Sequence, residues 1–243
     1  MNPLLLLPLS LCILSSCTLP IGNSSSVAQL PQPQSIAENT STATWVLADT
    51  SQTAQILRSA YSEEVLAEAI YTEIVAKYPT LSEINNIIDS EEKHSVQVGK
   101  LLDARGIVRP TDFGIYTDTY ATLSAMVESS VTGAIEAGVI IEVGDIDHLL
   151  AEYQTLSDTD IRQVFENIGG GSFNHLRAFL RFAKQYNYTP TTEYSRYMSP
   201  ADLSSKGSLK YKMTELLEAN NLPTSGVSGG GQGQGSGRGR MNQ

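Results

Sequence analysis

The stretch Ser82–Arg105, SEINNIIDSEEKHSVQVGKLLDAR, decides how this chain is read. At the 3.6-residue repeat of a helix, Ile84, Ile87, Ile88, Glu91, His94, Val98, Leu101 and Leu102 share one face. Glu91 and His94 therefore interrupt an apolar stripe and point inward. A carboxylate buried among isoleucines is costly unless a cation or a hydrogen-bond partner balances it, and a Glu-x-x-His pair can present both donors to one metal. Similar spacing surrounds His175. Ile161, Phe165, Ile168, Ser172, His175, Phe179 and Phe182 alternate by four and three, which puts that imidazole on the seam of packed helices.

Outward from these stretches, four long helices are expected, and no strand pattern competes with them. The first spans Gln52 to Lys77, stops before Pro79, and turns Leu57, Ala60, Glu64, Ala67, Tyr71 and Ile74 inward. The second spans Leu81 to Arg105, with Ser82 as N-cap and Gly106 as its stop. A longer crossing over Val108 to Thr117 follows. The third begins at Thr117 or Asp118, carries the stripe Val131, Ile135, Gly138 and Glu142, and breaks at Gly144-Asp145 before a short helix through Tyr153. The fourth starts after Ser157 as cap and reaches Tyr186; its run Gly169-Gly170-Gly171 predicts a kink, a wide turn, or the close approach of another helix. The result is an all-α fold that resembles a ferritin-like four-helix bundle with a long crossover between helices 2 and 3. In that architecture metal sites take one Glu from each of two helices and Glu-x-x-His from each of the other two.

The ends read differently. Met1–Ser16 holds the apolar runs Leu4–Leu7 and Leu11–Leu14, too short for a permanent membrane span, and looks like a signal peptide. It closes on Leu14-Ser15-Ser16-Cys17, similar to a bacterial lipobox in which Cys17 is lipidated, so residues 1–17 are read as the leader. No Lys or Arg precedes Arg58, so the usual basic start is missing, and a non-lipidated signal or a mis-assigned start codon is the alternative. Residues 18–53, rich in Ser, Thr, Pro, Gln and Asn, read as a disordered tether, and residues 225–243 as a Gly-rich tail. Residues 54–200 form the helical domain and residues 201–224 a C-terminal extension. The expected location is the bacterial cell envelope: a membrane-anchored lipoprotein, or a secreted or periplasmic protein without the lipid.

Cys12 and Cys17 are the two cysteines of the 243-residue chain, so the mature domain has no thiol for a disulfide, a thiolate zinc site or an iron–sulfur cluster. Any metal must be held by oxygen and nitrogen. The formal charge of -10 argues against general nucleic-acid binding, which draws on Lys and Arg.

Several motifs carry a family resemblance: Ser62-Glu63-Glu64-Val65-Leu66-Ala67-Glu68-Ala69-Ile70-Tyr71, Ser90-Glu91-Glu92-Lys93-His94, Gly138-Val139-Ile140-Ile141-Glu142 with Asp145-Ile146, Val164-Phe165-Glu166-Asn167, and Ser172-Phe173-Asn174-His175-Leu176-Arg177-Ala178-Phe179. In order and spacing, over about Ile56 to Tyr188, they resemble the ferritin-like proteins of the domain-of-unknown-function 2202 family. The wider ferritin and rubrerythrin superfamily implies a di-iron carboxylate centre. Glu64 matches the first-helix ligand because it precedes Tyr71 by seven residues. Glu91 and His94 match the second-helix pair, Glu142 the third-helix carboxylate, and His175 the fourth-helix histidine. Asp145 is similar to a neighbouring carboxylate that adds a ligand in rubrerythrins. The chain departs from the pattern at Ser172, where a complete di-iron motif has Glu. Glu166 does not replace it, because nine residues at about 100° each put it half a turn from His175.

The resemblance implies a di-iron centre, with manganese or zinc as alternatives, that oxidises iron(II) with oxygen or peroxide. Tyr71 and Asn174 are the expected outer partners of the ligands. The alternative is a non-catalytic metal-binding or interaction module at the membrane surface, or a bundle with a degenerate site. A lipid anchor and long tether suit a monomer or homodimer. Glu63 and Glu68 are read as solvated face residues, and His148 as a surface residue with a structural or solvent role.

Overall fold

The structure, a computed structural model, describes residues 51–225. The expected leader with Cys17, and residues 18–50 and 226–243 of the expected tether and tail, lie outside the described residues. Every regular element among the described residues is helical: α1 (Gln52–Lys77), α2 (Asn85–Ala104), α3 (Thr117–Ser129), α4 (Val131–Tyr153), α5 (Thr159–Gln185), and the short α6 (Pro200–Ser204) and α7 (Tyr211–Ala219). None of these helices is long and apolar enough to cross a membrane.

The four longest helices share one core. α1 packs along α2 and α4 along α5, while α1–α4 and α2–α5 contacts join the two pairs. Leu57, Ile70, Ile74, Val98, Leu102, Ile135, Val139, Ile146, Phe165, Ile168 and Phe179 fill the space between them. Each supplies the apolar burial that stabilises a helix whose own propensity is marginal.

The boundaries follow local chemistry, not always as expected. Ser51 caps α1 by accepting the Ala54 N–H at 3.2 Å. Ser82 does not cap the second helix. Residues Pro79–Ile84 form a 3-10 turn, and the Ser82 carbonyl instead accepts the Asn85 side chain at 2.8 Å, so α2 begins at Asn85. Gly106 does end α2: it adopts φ +65°, and the Ile107 N–H returns to Leu102 O at 2.9 Å.

The third helix breaks earlier than expected. Ser130 is extended, with φ −172° and ψ 163°, and its hydroxyl accepts the Gly133 N–H at 2.9 Å to start α4. The corner is tight enough that a Cβ at Gly133 would meet Met126 O at 2.4 Å. α4 then runs through Gly144 and Asp145 without interruption. A lone helical glycine costs only about 1 kcal/mol, and Ile146 and Leu149 beyond it are buried, so packing carries the helix on. The link between α2 and α4 therefore contains α3, which packs on α4 and α1.

Ser157 does not cap the fourth helix. Asp158 stands at the N-cap of α5 without a capping side-chain bond, and Asp160 in the first turn pairs with Arg105 at 2.8 Å. The three glycines stay helical because neighbours fill the space beside them. A Cβ at Gly169 would lie 2.7 Å from Met213 Sδ, and one at Gly170 would lie 2.8 Å from Lys210 O. The C-terminal extension thus docks where α5 is thinnest.

Candidate metal centre

Each of the four long helices sends a ligand-type side chain to one place inside the core. Glu64 comes from α1, Glu91 and His94 from α2, Glu142 from α4 and His175 from α5, and all five are buried. The 3.6-residue stripe that places Ile87 and Val98 in the core also places Glu91 and His94 there.

Glu91 stands at the middle. Its Oε2 lies 2.8 Å from His94 Nδ1, and its Oε1 lies 2.9 Å from His175 Nδ1. His94 Nδ1 is also 3.2 Å from Glu64 Oε2, and His175 Nδ1 is 3.6 Å from Glu142 Oε1. Two sets result, Glu64–Glu91–His94 and Glu91–Glu142–His175, in each of which one ligand atom per residue falls within 4.8 Å of the others. The imidazoles face each other with ring centroids 5.8 Å apart. Glu142 accepts the Tyr71 hydroxyl through Oε1, and Phe179, 5.1 Å from the Tyr71 ring, holds that phenol in place. Phe179 itself lies against Gly138, where an added Cβ would come 2.2 Å from the ring.

Most of the carboxylates here are held back from ionising. Burial pushes Glu64 up to about 8 despite the opposing pull of His94. Burial likewise raises Glu142, with His175 pulling against it, and holds Asp145 well above the carboxylate range, with Glu64 and Glu63 adding to the rise. Burial would raise Glu91 too, but His175 and His94 together bring it below the usual range. Burial disfavours the charged form of His94, yet Glu64 and Glu91 raise it to about 10. Three or four carboxylates thus surround two imidazoles, and several can ionise in that dry space only at a high desolvation cost unless more positive charge joins them.

The donor set fits a divalent metal. Buried His175 Nδ1 has no hydrogen-bond partner, although it lies within 2.9 Å of Glu91 Oε1; the contact is close but out of line for a hydrogen bond. Gly171 leaves room for the His94 ring, since a Cβ there would fall 2.7 Å from His94 Cε1.

The sequence profile described as "Uncharacterized protein domain (DUF2202)" matches residues 54–201. The chain belongs to the DUF2202 family. All five converging residues lie inside the matched span. "Uncharacterized protein MJ0754" of Methanocaldococcus jannaschii is 33% identical over 138 residues, covering 53% of this chain and 74% of that relative. The crystal structure of hypothetical protein MJ0754 from Methanococcus jannaschii superposes with a TM-score of 0.58 at 27% identity, over 74% of this chain and 99% of that one.

The remaining expected residues of this DUF2202 domain divide. Asp145 is buried beside the centre and accepts the Ser172 hydroxyl, so the α5 position that lacks a carboxylate is bonded to one from α4. Asp145 also lines a void of about 10 Å³ with Glu63, Glu64, Glu91 and Glu142, but stands outside the two converging sets. Asn174 is not an outer partner of the centre. Its Oδ1 accepts the Leu209 N–H at 2.8 Å and Arg177 Nη2 at 3.1 Å, and its Nδ2 donates to Gly170 O at 2.7 Å, so it anchors the C-terminal extension instead.

Nor are Glu63 and His148 simple surface groups. His148 Nδ1 lies 2.5 Å from Glu63 Oε2, and His148 Nε2 lies 2.8 Å from Glu152 Oε1. The signal was present in the spacing of Glu142, Asp145, His148 and Glu152, which recur at three or four residues and so wind slowly around α4.

Proposed function

We propose that this domain is a ferritin-like di-metal carboxylate protein, with Glu91 bridging one metal held by Glu64 and His94 and a second held by Glu142 and His175. The observation that carries the reading is the placement of Glu91 between two imidazole nitrogens at 2.8 and 2.9 Å, in a core where His175 Nδ1 has no hydrogen bond. Imidazole and carboxylate donors in this mixture suit iron, manganese or zinc, and iron agrees best with the ferritin-like arrangement of ligands.

Held by Glu64, Glu91, His94, Glu142 and His175, an iron pair would supply the two electrons needed to reduce a peroxide, with two protons, to two waters. The protein's part is to hold and orient. Tyr71 fixes one oxygen of Glu142 and leaves the other for a metal. Phe179, against the Tyr71 ring that bonds Glu142, keeps that side of the centre apolar, which strengthens each charge interaction. With no cysteine in the described domain, reducing equivalents must come from outside the chain. At Cys17 the lipobox would tie the protein to the envelope membrane.

Anaerobic iron(II) titration followed by oxygen or peroxide tests this reading: two equivalents bound, then oxidation of both, is expected. Absence of binding rejects it. Ser172, in the place of a fourth-helix carboxylate, favours a second reading, a non-catalytic metal-binding module; tight binding of zinc or manganese with no oxidation of iron(II) would select it.

A further inference from the structure

A line of ligand-type side chains leaves the buried centre and reaches the surface along the seam of α1 and α4. On α4 the positions Glu142, Asp145, His148 and Glu152 follow at three- and four-residue steps, so each is turned only about 40–60° from the one before and rises by about 4.5–6 Å. Opposite them on α1, Glu63 joins the two ends. It lines the small void with Glu64, Glu91, Glu142 and Asp145, and its Oε2 lies 2.5 Å from His148 Nδ1.

Beyond His148 the seam opens into a cleft of about 1080 Å³, walled by the start of α1, the end of α4 and the 108–115 loop. Ser59, His148 and Glu152 line it. The Tyr116 hydroxyl links two of these lining residues, 3.1 Å from His148 Nδ1 and 3.0 Å from Ser59 Oγ. Of the cleft's two arginines, Arg58 donates to Val108 O in the same wall and Arg109 pairs with Asp103 outside it. Glu152 Oε2 is a buried oxygen with no hydrogen-bond donor. A structural ion pair needs only His148 and one carboxylate. A sequence of carboxylates, one imidazole and an unused oxygen, spaced by single helical turns between solvent and a buried donor set, has the form of a path for a cation.

We propose that this ladder is the route by which a divalent cation enters the protein, with Glu152, His148 and Glu63 as its first ligands and Asp145 as the step before the centre. The inference rests on the proposed di-metal reading of the inner residues. Passage is ligand exchange without change of oxidation state. The cation replaces the proton that His148 shares with a neighbouring carboxylate, and that proton leaves through the cleft.

Loading of the full chain with cobalt(II), followed in stopped flow by its visible absorption, tests the route. Glu152→Gln keeps the shape and removes the charge; His148→Leu removes the imidazole. Each variant should load on the order of tenfold more slowly, because it loses the local attraction that concentrates cations at the mouth. Release to a chelator should slow by the same factor, leaving the equilibrium affinity unchanged, since both directions use one path. Wild-type rates in both variants would overturn the route while leaving the centre intact, as for a proton-only relay. Faster release with weaker binding would also overturn it, showing that these residues merely brace the helices. A wild-type chain that binds no cobalt(II) would overturn centre and route together.

Discussion

The His94 imidazole lies where the side chain of any residue larger than glycine at position 171 would stand. A Cβ on Gly171 would be 2.7 Å from His94 Cε1, 2.8 Å from His94 Nε2 and 3.7 Å from His175 Cε1. Gly171 therefore sets how closely α5 approaches the α2 histidine. Gly171→Ala should displace the ring and weaken metal binding by about 10–100-fold, the usual scale for disturbing a ligand's support. In the apo protein the gain of about 1 kcal/mol for alanine over glycine in a helix offsets only part of the about 1–3 kcal/mol that overpacking against the buried ring costs. Chelator competition and thermal melting of the apo protein, measured together, separate the two effects; unchanged affinity would show that His94 is not a ligand.

Glu91 is shared, whereas Glu64 and Glu142 each belong to one set. Glu91→Gln is thus expected to remove both metal equivalents, while Glu64→Gln and Glu142→Gln each weaken one. Elemental analysis after equilibrium dialysis reads the count. A Glu91→Gln protein that keeps one equivalent at full affinity would mean the two sets are independent.

Glu136 offers a pH dependence remote from the centre. It accepts the Tyr188 hydroxyl at 2.7 Å, the Thr191 hydroxyl at 2.6 Å, and the Thr192 N–H and hydroxyl at 2.8 Å each. Burial works against this carboxylate, but the donors from Thr191, Tyr188 and Thr192 outweigh it and lower its pKa below the ordinary 4.5. A group depressed in the folded state stabilises fully above its unfolded value and loses that contribution as pH falls through the folded one. Glu136→Ala should cost about 1–3 kcal/mol at pH 7 by stranding its donors. Urea unfolding should also show the gap between variant and wild type narrowing on acidification below about pH 4.5; a gap that widens toward low pH would contradict the assignment.

Arg177 holds the C-terminal extension on α5 through the Ser205 hydroxyl at 2.7 Å and Gly207 O at 2.6 Å. Arg177→Leu should free α6 and α7, seen as faster hydrogen exchange over residues 199–217, and leave metal affinity as it was. Loss of metal binding in this variant would tie the extension to the centre.

Much of this arrangement was legible because helical spacing is a strong signal over long stretches. Glu64, Tyr71, Glu91, His94 and His175 all project inward where their apolar neighbours do, and Tyr71 does donate to Glu142. Less was legible where two local signals competed. Gly144 looked like a break and Ser130 did not, yet Ser130 caps the next helix while buried residues on both sides of Gly144 keep α4 intact. Asn174 stood beside His175 in sequence, but adjacent helical positions point about 100° apart, and it faces the extension. Glu63 and His148 looked solvated because their partnership crosses 85 residues and depends on α1 and α4 being neighbours.

The central claim is that the two halves of Glu91 face two metals. Anomalous diffraction from crystals of the protein equilibrated with iron(II) or manganese(II) tests it most directly. The account predicts two peaks in the core, one beside Glu64 and His94 and one beside Glu142 and His175, with a Glu91 oxygen bound to each at about 2.0–2.2 Å. A core without peaks, with metal only on surface carboxylates, would contradict it.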